Sequence, residues 1–134
     1  MENGLILFEG NEGKFYCSKK AETKEEKKEL FNALEKCDVL LNDCVGQEIN
    51  IQDIYCEQGT IIDDETGETK TKFRTIIFGD DGQTYATGSY GIFNVIAKII
   101  KSFGYPTEWN EPLKVKVVKR PIGDGKQALS LELL

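Results

Sequence analysis

With 134 residues the chain can bury a core without disulfide or metal staples, and its 40% hydrophobic and 30% charged residues describe a globular chain rather than a disordered tail. The absence of histidine removes every Ser/His and Cys/His nucleophile pair, and Cys17, Cys37, Cys44 and Cys56 form no C-x-x-C spacing, so buried free thiols without metal or cofactor are expected. A formal charge of −6 argues at first against a polyanionic partner, and no apolar run approaches the roughly 18 residues of a membrane span, so a cytoplasmic protein is expected.

The first 17 residues alternate weakly around Asn11-Glu12-Gly13 and predict a short hairpin. Thr23 and Glu26 read as a capping box, and Leu30, Phe31 and Leu34 follow at helical spacing, which predicts a helix over 24–35. CDVLLNDCV, residues 37–45, suits a loop with one apolar turn. From Gly46 the period changes to two and predicts a long strand reaching Ile62. DDETGE, residues 63–68, is a turn cluster, and a second strand runs from Lys70 to Phe78. Asp81-Gly82 reads as a two-residue hairpin turn, with a third strand over 83–87. Ser89 caps a helix whose apolar residues, from Ile92 to Phe103, cover about half its surface; Gly104 and Pro106 end it. Leu113, Val115 and Val117 alternate with Lys114 and Lys116 in a fourth strand, Pro121–Lys126 is a turn, and Leu129, Leu131 and Leu133 mark a fifth.

From Gly46 onward the order is therefore strand, strand, strand, helix, strand, strand. It predicts a mainly β fold with one or two helices: a five-stranded, OB-fold-like Greek-key barrel with an α-helix between strands 3 and 4. The whole of 1–134 forms one domain in this reading, with 1–44 as an N-terminal strand/helix extension and 45–134 as the barrel. Another small α+β domain is the competing interpretation.

Charge is unevenly spread: residues 1–69 hold 7 Lys+Arg against 17 Asp+Glu, and residues 70–134 hold 10 against 6. Screening confines an exposed charge to about 10 Å, so a basic half can meet a phosphate backbone whatever the total. If Asp81-Gly82 is a two-residue turn, Phe78 faces Tyr85, and period two puts Lys70, Lys72, Arg74, Ile76, Phe78 and Tyr85 on one face. Cations beside aromatics suit single-stranded DNA, since bases stack on flat rings while lysine and arginine follow phosphates. Alternatively Ile76, Phe78 and Tyr85 are core, and a three-residue loop would turn Tyr85 to the other face. Lys114, Lys116, Lys119 and Arg120, with Lys126, make a second cationic strand and loop, a pattern shared by any solvated strand face. Tyr105 and Trp109 either plug a barrel end or offer a stacking platform. Asp63, Asp64, Asp80 and Asp81 are the carboxylates a two-metal nuclease would use, but they sit in turns of flexible geometry.

Several segments also occur in a fixed order: G-x-x-I-x-I-x-D-I from Gly46 to Ile54, D-D-E-T-G-E, R-T-I-I-F-x-D-D-G-x-x-Y, S-x-G-I-F, F-G-Y-P-T-E-W, P-L-K-V-K-V-V-K-R and L-S-L-E-L. On these the chain from Val45 onward resembles the single-stranded-DNA-binding proteins of tailed phages of Gram-positive bacteria. The resemblance implies an OB-type barrel that coats single-stranded DNA in phage replication or recombination, in the host bacterial cytoplasm, without catalysis or cofactor. By motif position it points to the Arg74 strand, Tyr85 and the Lys114/Lys116 strand. The DNA-binding candidates are then Lys70, Lys72, Arg74, Phe78, Tyr85, Lys114, Lys116, Lys119 and Arg120. The partners implied are single-stranded DNA and replication or recombination proteins, with no membrane; oligomeric state has no sequence signal. LSLELL differs from the acidic, glycine-rich tail of bacterial single-strand binders, so recruitment through such a tail is not expected. The alternative is an OB-fold protein-interaction module, such as a phage inhibitor of a host factor, using the acidic N-terminal half.

Overall fold

The structure, a computed structural model, describes residues 8–10, 13–19 and 22–134. Part of the predicted N-terminal hairpin, the stretch before Phe8 and the turn at Asn11-Glu12, lies outside the described residues. Among those described, eight strands share one sheet and two helices lie against it. In chain order they are β1 (Phe8–Gly10), β2 (Gly13–Cys17), α1 (Lys24–Glu35), β3 (Val39–Leu40), β4 (Glu48–Ile62), β5 (Thr69–Gly79), β6 (Thr84–Thr87), α2 (Tyr90–Phe103), β7 (Leu113–Gly123) and β8 (Lys126–Leu133). The predicted mainly β fold with two helices is what the chain adopts.

β4 organises the sheet. Its 15 residues carry β5 along one edge and divide the other edge in two: Glu48–Ile51 pair with β7, and Tyr55–Gly59 pair with β2. The β4–β5 register slips between Ile51 and Asp53, the mark of a bulge at Gln52. A bulge bends and twists its strand, so one β4 can serve two directions of sheet.

The sheet curls into a half-barrel, which fits the expected β-rich, OB-like fold, with more strands than the five expected. Among the described residues β8 bonds only to β7, and the outer edge of β6 is taken in parallel by β3, with Val39 opposite Tyr85 and Leu40 opposite Ala86. Asp38 fastens that approach: its N–H donates to Thr84 Oγ1, and its carboxylate accepts the Thr84 N–H, both at 3.0 Å. The open side is bridged by α2, which touches β5 on one bank and β8 on the other.

Alternation along the strands builds two apolar layers. On the concave side Ile49, Ile51, Ile54, Ile77, Tyr85, Val115, Val117, Leu129 and Leu131 close over Ile92, Ile96 and Ile99 of α2, with Trp109 packed at the margin. Trp109 Nε1 donates to the Gly104 carbonyl at 3.0 Å, so this ring belongs to the plug. On the convex side Cys17, Tyr55, Ile76, Phe78 and Ala86 lie under Leu30, Ala33, Leu34 and Cys37. α1 begins at the predicted capping box, with Thr23 Oγ1 accepting from Glu26 N at 3.1 Å and Glu26 returning a bond to Thr23 N at 3.0 Å. No residue of α1 is fully buried, so it rests on the sheet rather than in it.

Two turns differ from expectation. Asp81-Gly82 is not a two-residue hairpin: Gly79 N–H bonds Gln83 O at 2.9 Å around a three-residue loop. The Asp81 carboxylate accepts the Gln83 N–H at 3.0 Å, and only Gly82 takes positive φ, +86°. That local bond favours the longer loop and a bulge at glycine. The tight two-residue turn is Asp124-Gly125, where φ is +52° and +73° and Gly123 stands opposite Lys126. β7 therefore continues through Pro121 to Gly123, past its predicted end.

Candidate nucleic-acid interface

The three-residue loop decides where the candidate rings point. Ile77 stands opposite Tyr85 and Ile76 opposite Ala86, one residue away from the predicted register, so Tyr85 moves to the concave side. Only 7% of it is exposed, and its hydroxyl lies 3.2 Å from both Asp81 Oδ2 and Gln83 Oε1. Burial, and then the Asp81 carboxylate, push that hydroxyl above its ordinary pKa. Phe78 is 6% exposed on the convex side beneath α1, with the Lys19 ammonium 5.3 Å from its ring centroid. The expected single face of cations and aromatics is thus divided, and neither ring is bare.

The predicted cations also separate. Lys114 pairs with Glu48 at 3.2 Å, and Lys116 stands in register between Glu48 and Glu132. Lys70 reaches Asp63 at 3.9 Å. The Arg74 guanidinium donates to the Leu34 carbonyl at the end of α1. Lys72, Lys119, Arg120 and Lys126 make no ion pair among the described residues. Lys114 and Lys116 share the outer side of β7 as expected, away from Tyr85.

A different group of rings converges at the start of α2. Thr87 Oγ1 accepts the Ser89 N–H at 3.1 Å and Ser89 Oγ accepts the Ile92 N–H at 3.3 Å, so the helix must begin at Tyr90, directly after β6. Tyr90 then meets Phe73 of β5 with ring centroids 4.9 Å apart, and Phe93, one turn later, meets it at 4.7 Å. Both pairs are tilted by about 50 to 60°, a geometry aromatic rings favour. Phe73 and Phe93 are half-buried and support Tyr90, which is 60% exposed. A second pair, Tyr16 and Tyr105, lies past the other end of α2 with centroids 5.3 Å apart.

Glycine sets how closely this helix end approaches the sheet. A Cβ on Gly91 would stand 2.5 Å from the Leu129 carbonyl oxygen, and one on Gly88 would stand 3.4 Å from that of Phe73. The start of α2 therefore rests on backbone at both banks. From the Phe73 bank the β4–β5 ribbon runs out with Lys70, Lys72 and Arg74; from the Leu129 bank, opposite Lys119, the β7–β8 hairpin runs out with Lys119, Arg120 and Lys126. Chemically this is an exposed ring on a stacked base, flanked by two cationic arms. Among the described residues no three Cys, Asp or Glu are grouped to hold a metal ion, and no helix is long and apolar enough to cross a membrane.

The family model described as phage single-stranded DNA-binding protein matches residues 9–134, from within β1 past the end of β8. The chain belongs to this family. The ring cluster and both arms of this family member lie inside the matched stretch. It is also similar to the single-stranded DNA-binding protein of Bacillus phage GA-1, with 27% identity over 109 aligned positions that cover 77% of this chain and 64% of that protein. The match thus spans less than two thirds of that relative's length. No solved structure matches.

The sequence signal that could have found Tyr90 was present. S-Y-G-I-F puts an aromatic at the first helical position, between a cap and a glycine, where no core stripe calls for it. Alternation along β5 puts Phe73 on the face away from Arg74, and that is where it stands.

Proposed function

We propose that this chain binds single-stranded DNA without catalysis, coating it during phage DNA replication or recombination in the cytoplasm of a host bacterium. The observation that carries the reading is the exposed Tyr90 ring, seated on Phe73 and Phe93 between two arms bearing Lys72, Arg74, Lys119, Arg120 and Lys126, in a member of this family. Bases stack on Tyr90 while the arms follow the phosphates. Strands β4 to β8 with α2 act as an OB-type barrel over 45–134, with α2 sealing one end and residues 1–44 as an extension. OB barrels commonly engage oligonucleotides with the two hairpin loops that correspond in order to these arms. Of the remaining candidates, Lys70, Lys114 and Lys116 add to the local positive field. Phe78 and Tyr85 hold β5 and β6 so that Phe73 and Arg74 are presented. In a duplex the bases are already stacked on each other, so Tyr90 has nothing to take.

Fluorescence anisotropy with single-stranded and duplex probes of equal length tests this. Single strands should bind preferentially, with log K falling against log salt by about 0.7 for each phosphate contact. Equal or stronger binding of duplex would contradict the proposal.

A further inference from the structure

We infer that the outer flank of α1 is a second contact site for a single-stranded polynucleotide, built on Phe31 with Lys24, Lys27 and Lys28. This rests on the proposed single-strand binding and extends it to a helix outside the two arms.

α1 commits Leu30, Ala33 and Leu34 to the convex layer, and Phe31 is not among them: 62% of it is exposed. Residues three, four and seven positions before Phe31 share its flank on a helix, and here they are Lys28, Lys27 and Lys24. Glu29 falls on the opposite side of the helix, Glu25 stands at the margin beside Lys28, and Glu35, four positions after Phe31, bounds the flank at its far end. A depression of about 380 Å³ is lined by the three lysines, Phe31 and Asn32, with no acid in its wall. Lys28 reaches Glu25 at 3.9 Å, but both side chains are largely exposed, and such a pair yields readily to a phosphate.

Position connects this flank to the first site. Arg74 donates to the Leu34 carbonyl, and Phe31 lies one helical turn before Leu34. A polynucleotide leaving the Arg74 arm can continue along α1 toward the lysine flank, a rise of about 9 to 15 Å from Leu34. That continuity favours the same strand over a separate protein partner. In a segment with 17 acids against 7 bases, a flank of three lysines around a bare ring is matched to a phosphate chain with flat bases.

Oligo(dT) of graded length, read by anisotropy at several salt concentrations with sedimentation and thermal melts alongside, tests the inference. Phe31→Ala should weaken binding about five-fold or more on long oligonucleotides, with a loss that grows with length, and should shorten the length occluded per chain. Replacing Lys24, Lys27 and Lys28 together by Glu should lower the salt slope by about 2, at about 0.7 per lost contact. Wild-type affinity, slope and occluded length in both variants would overturn the inference. So would a change of oligomeric state in Phe31→Ala with DNA binding intact, which would give the flank to a second copy. A chain that depends on Tyr90 but not on Phe31 loses only this extension. One that binds no oligonucleotide loses the first reading as well.

Discussion

Tyr90 and Tyr85 stand close in sequence but differ in burial, and they should answer mutation in opposite ways. Tyr90 is 60% exposed and touches Phe73 and not the concave layer, so Tyr90→Ala should leave the melting temperature nearly unchanged while costing about 1 to 3 kcal/mol of single-strand affinity. Tyr85 is 7% exposed within the concave core, and Tyr85→Ala should destabilise the fold by about 3 to 5 kcal/mol. Paired melts and anisotropy titrations of the two variants check both expectations. Thiol reactivity offers an independent reading of the same burial pattern. Cys17, Cys44 and Cys56 are buried and burial raises all three thiols, Cys56 to about 12, whereas Cys37 is only partly covered at the end of α1. Brief alkylation of the native chain followed by mass spectrometry should find Cys37 modified first. Legibility at this scale ran through local signals. The Thr23/Glu26 capping box and the Ser89 cap are bonds between near neighbours, and a pattern of types at fixed offsets names them. The side on which Tyr85 points depended on one extra loop residue, which Asp81 selects by bonding Gln83 N.

At the level of elements, the seating of α2 on β8 depends on one missing side chain. Gly91→Ala places a methyl 2.5 Å from the Leu129 carbonyl oxygen, which belongs to a strand and has no room to retreat. Overpacking of that kind costs about 1 to 3 kcal/mol, against at most about 1 kcal/mol gained from alanine's helix propensity, so the clash wins. The variant should melt lower, and by shifting the first turn it should also weaken single-strand binding more than Tyr90→Phe does. Calorimetry and anisotropy on both variants decide the point. Strand and helix extents were largely readable because hydrophobic period and turn residues both act locally: α1 was predicted over the range it occupies, and α2 starts after its named cap. The pairing of β3 with β6 was not. Val39-Leu40 is too short to carry a period, and its place follows from Asp38 meeting Thr84 across 46 positions of chain.

For the whole molecule, burial of acidic protons gives stability a definite pH dependence. An unfolded thiol ionises near 9.0, while the folded Cys56 thiol keeps its proton to about 12 because burial disfavours the thiolate. Between those values the unfolded chain binds fewer protons than the folded one, so stability is fully present below pH 9 and falls as pH rises toward 12. The tyrosine hydroxyls of Tyr16, Tyr55 and Tyr85, also raised by burial, act in the same direction. Urea melts from pH 7 to 11 should show that decline, and Cys56→Ala should make it shallower. The uneven charge was legible from composition, but the two-sided sheet was not, because period two says which residues share a face and never which face a helix will cover. α1 covers the one that carries Phe78, and that choice moved the proposed contact to the start of α2.

Two borders of the branched sheet, at β6 and at β8, have a further meaning. The last hydrogen-bonding row of β6 is occupied by β3, and α2 leans on the backbone of β8 at Leu129. In the proposed coating of a polynucleotide, copies would stand shoulder to shoulder, where a bare strand border would zip neighbouring molecules into fibres. With those two borders covered, crowding along the strand brings fewer open edges together.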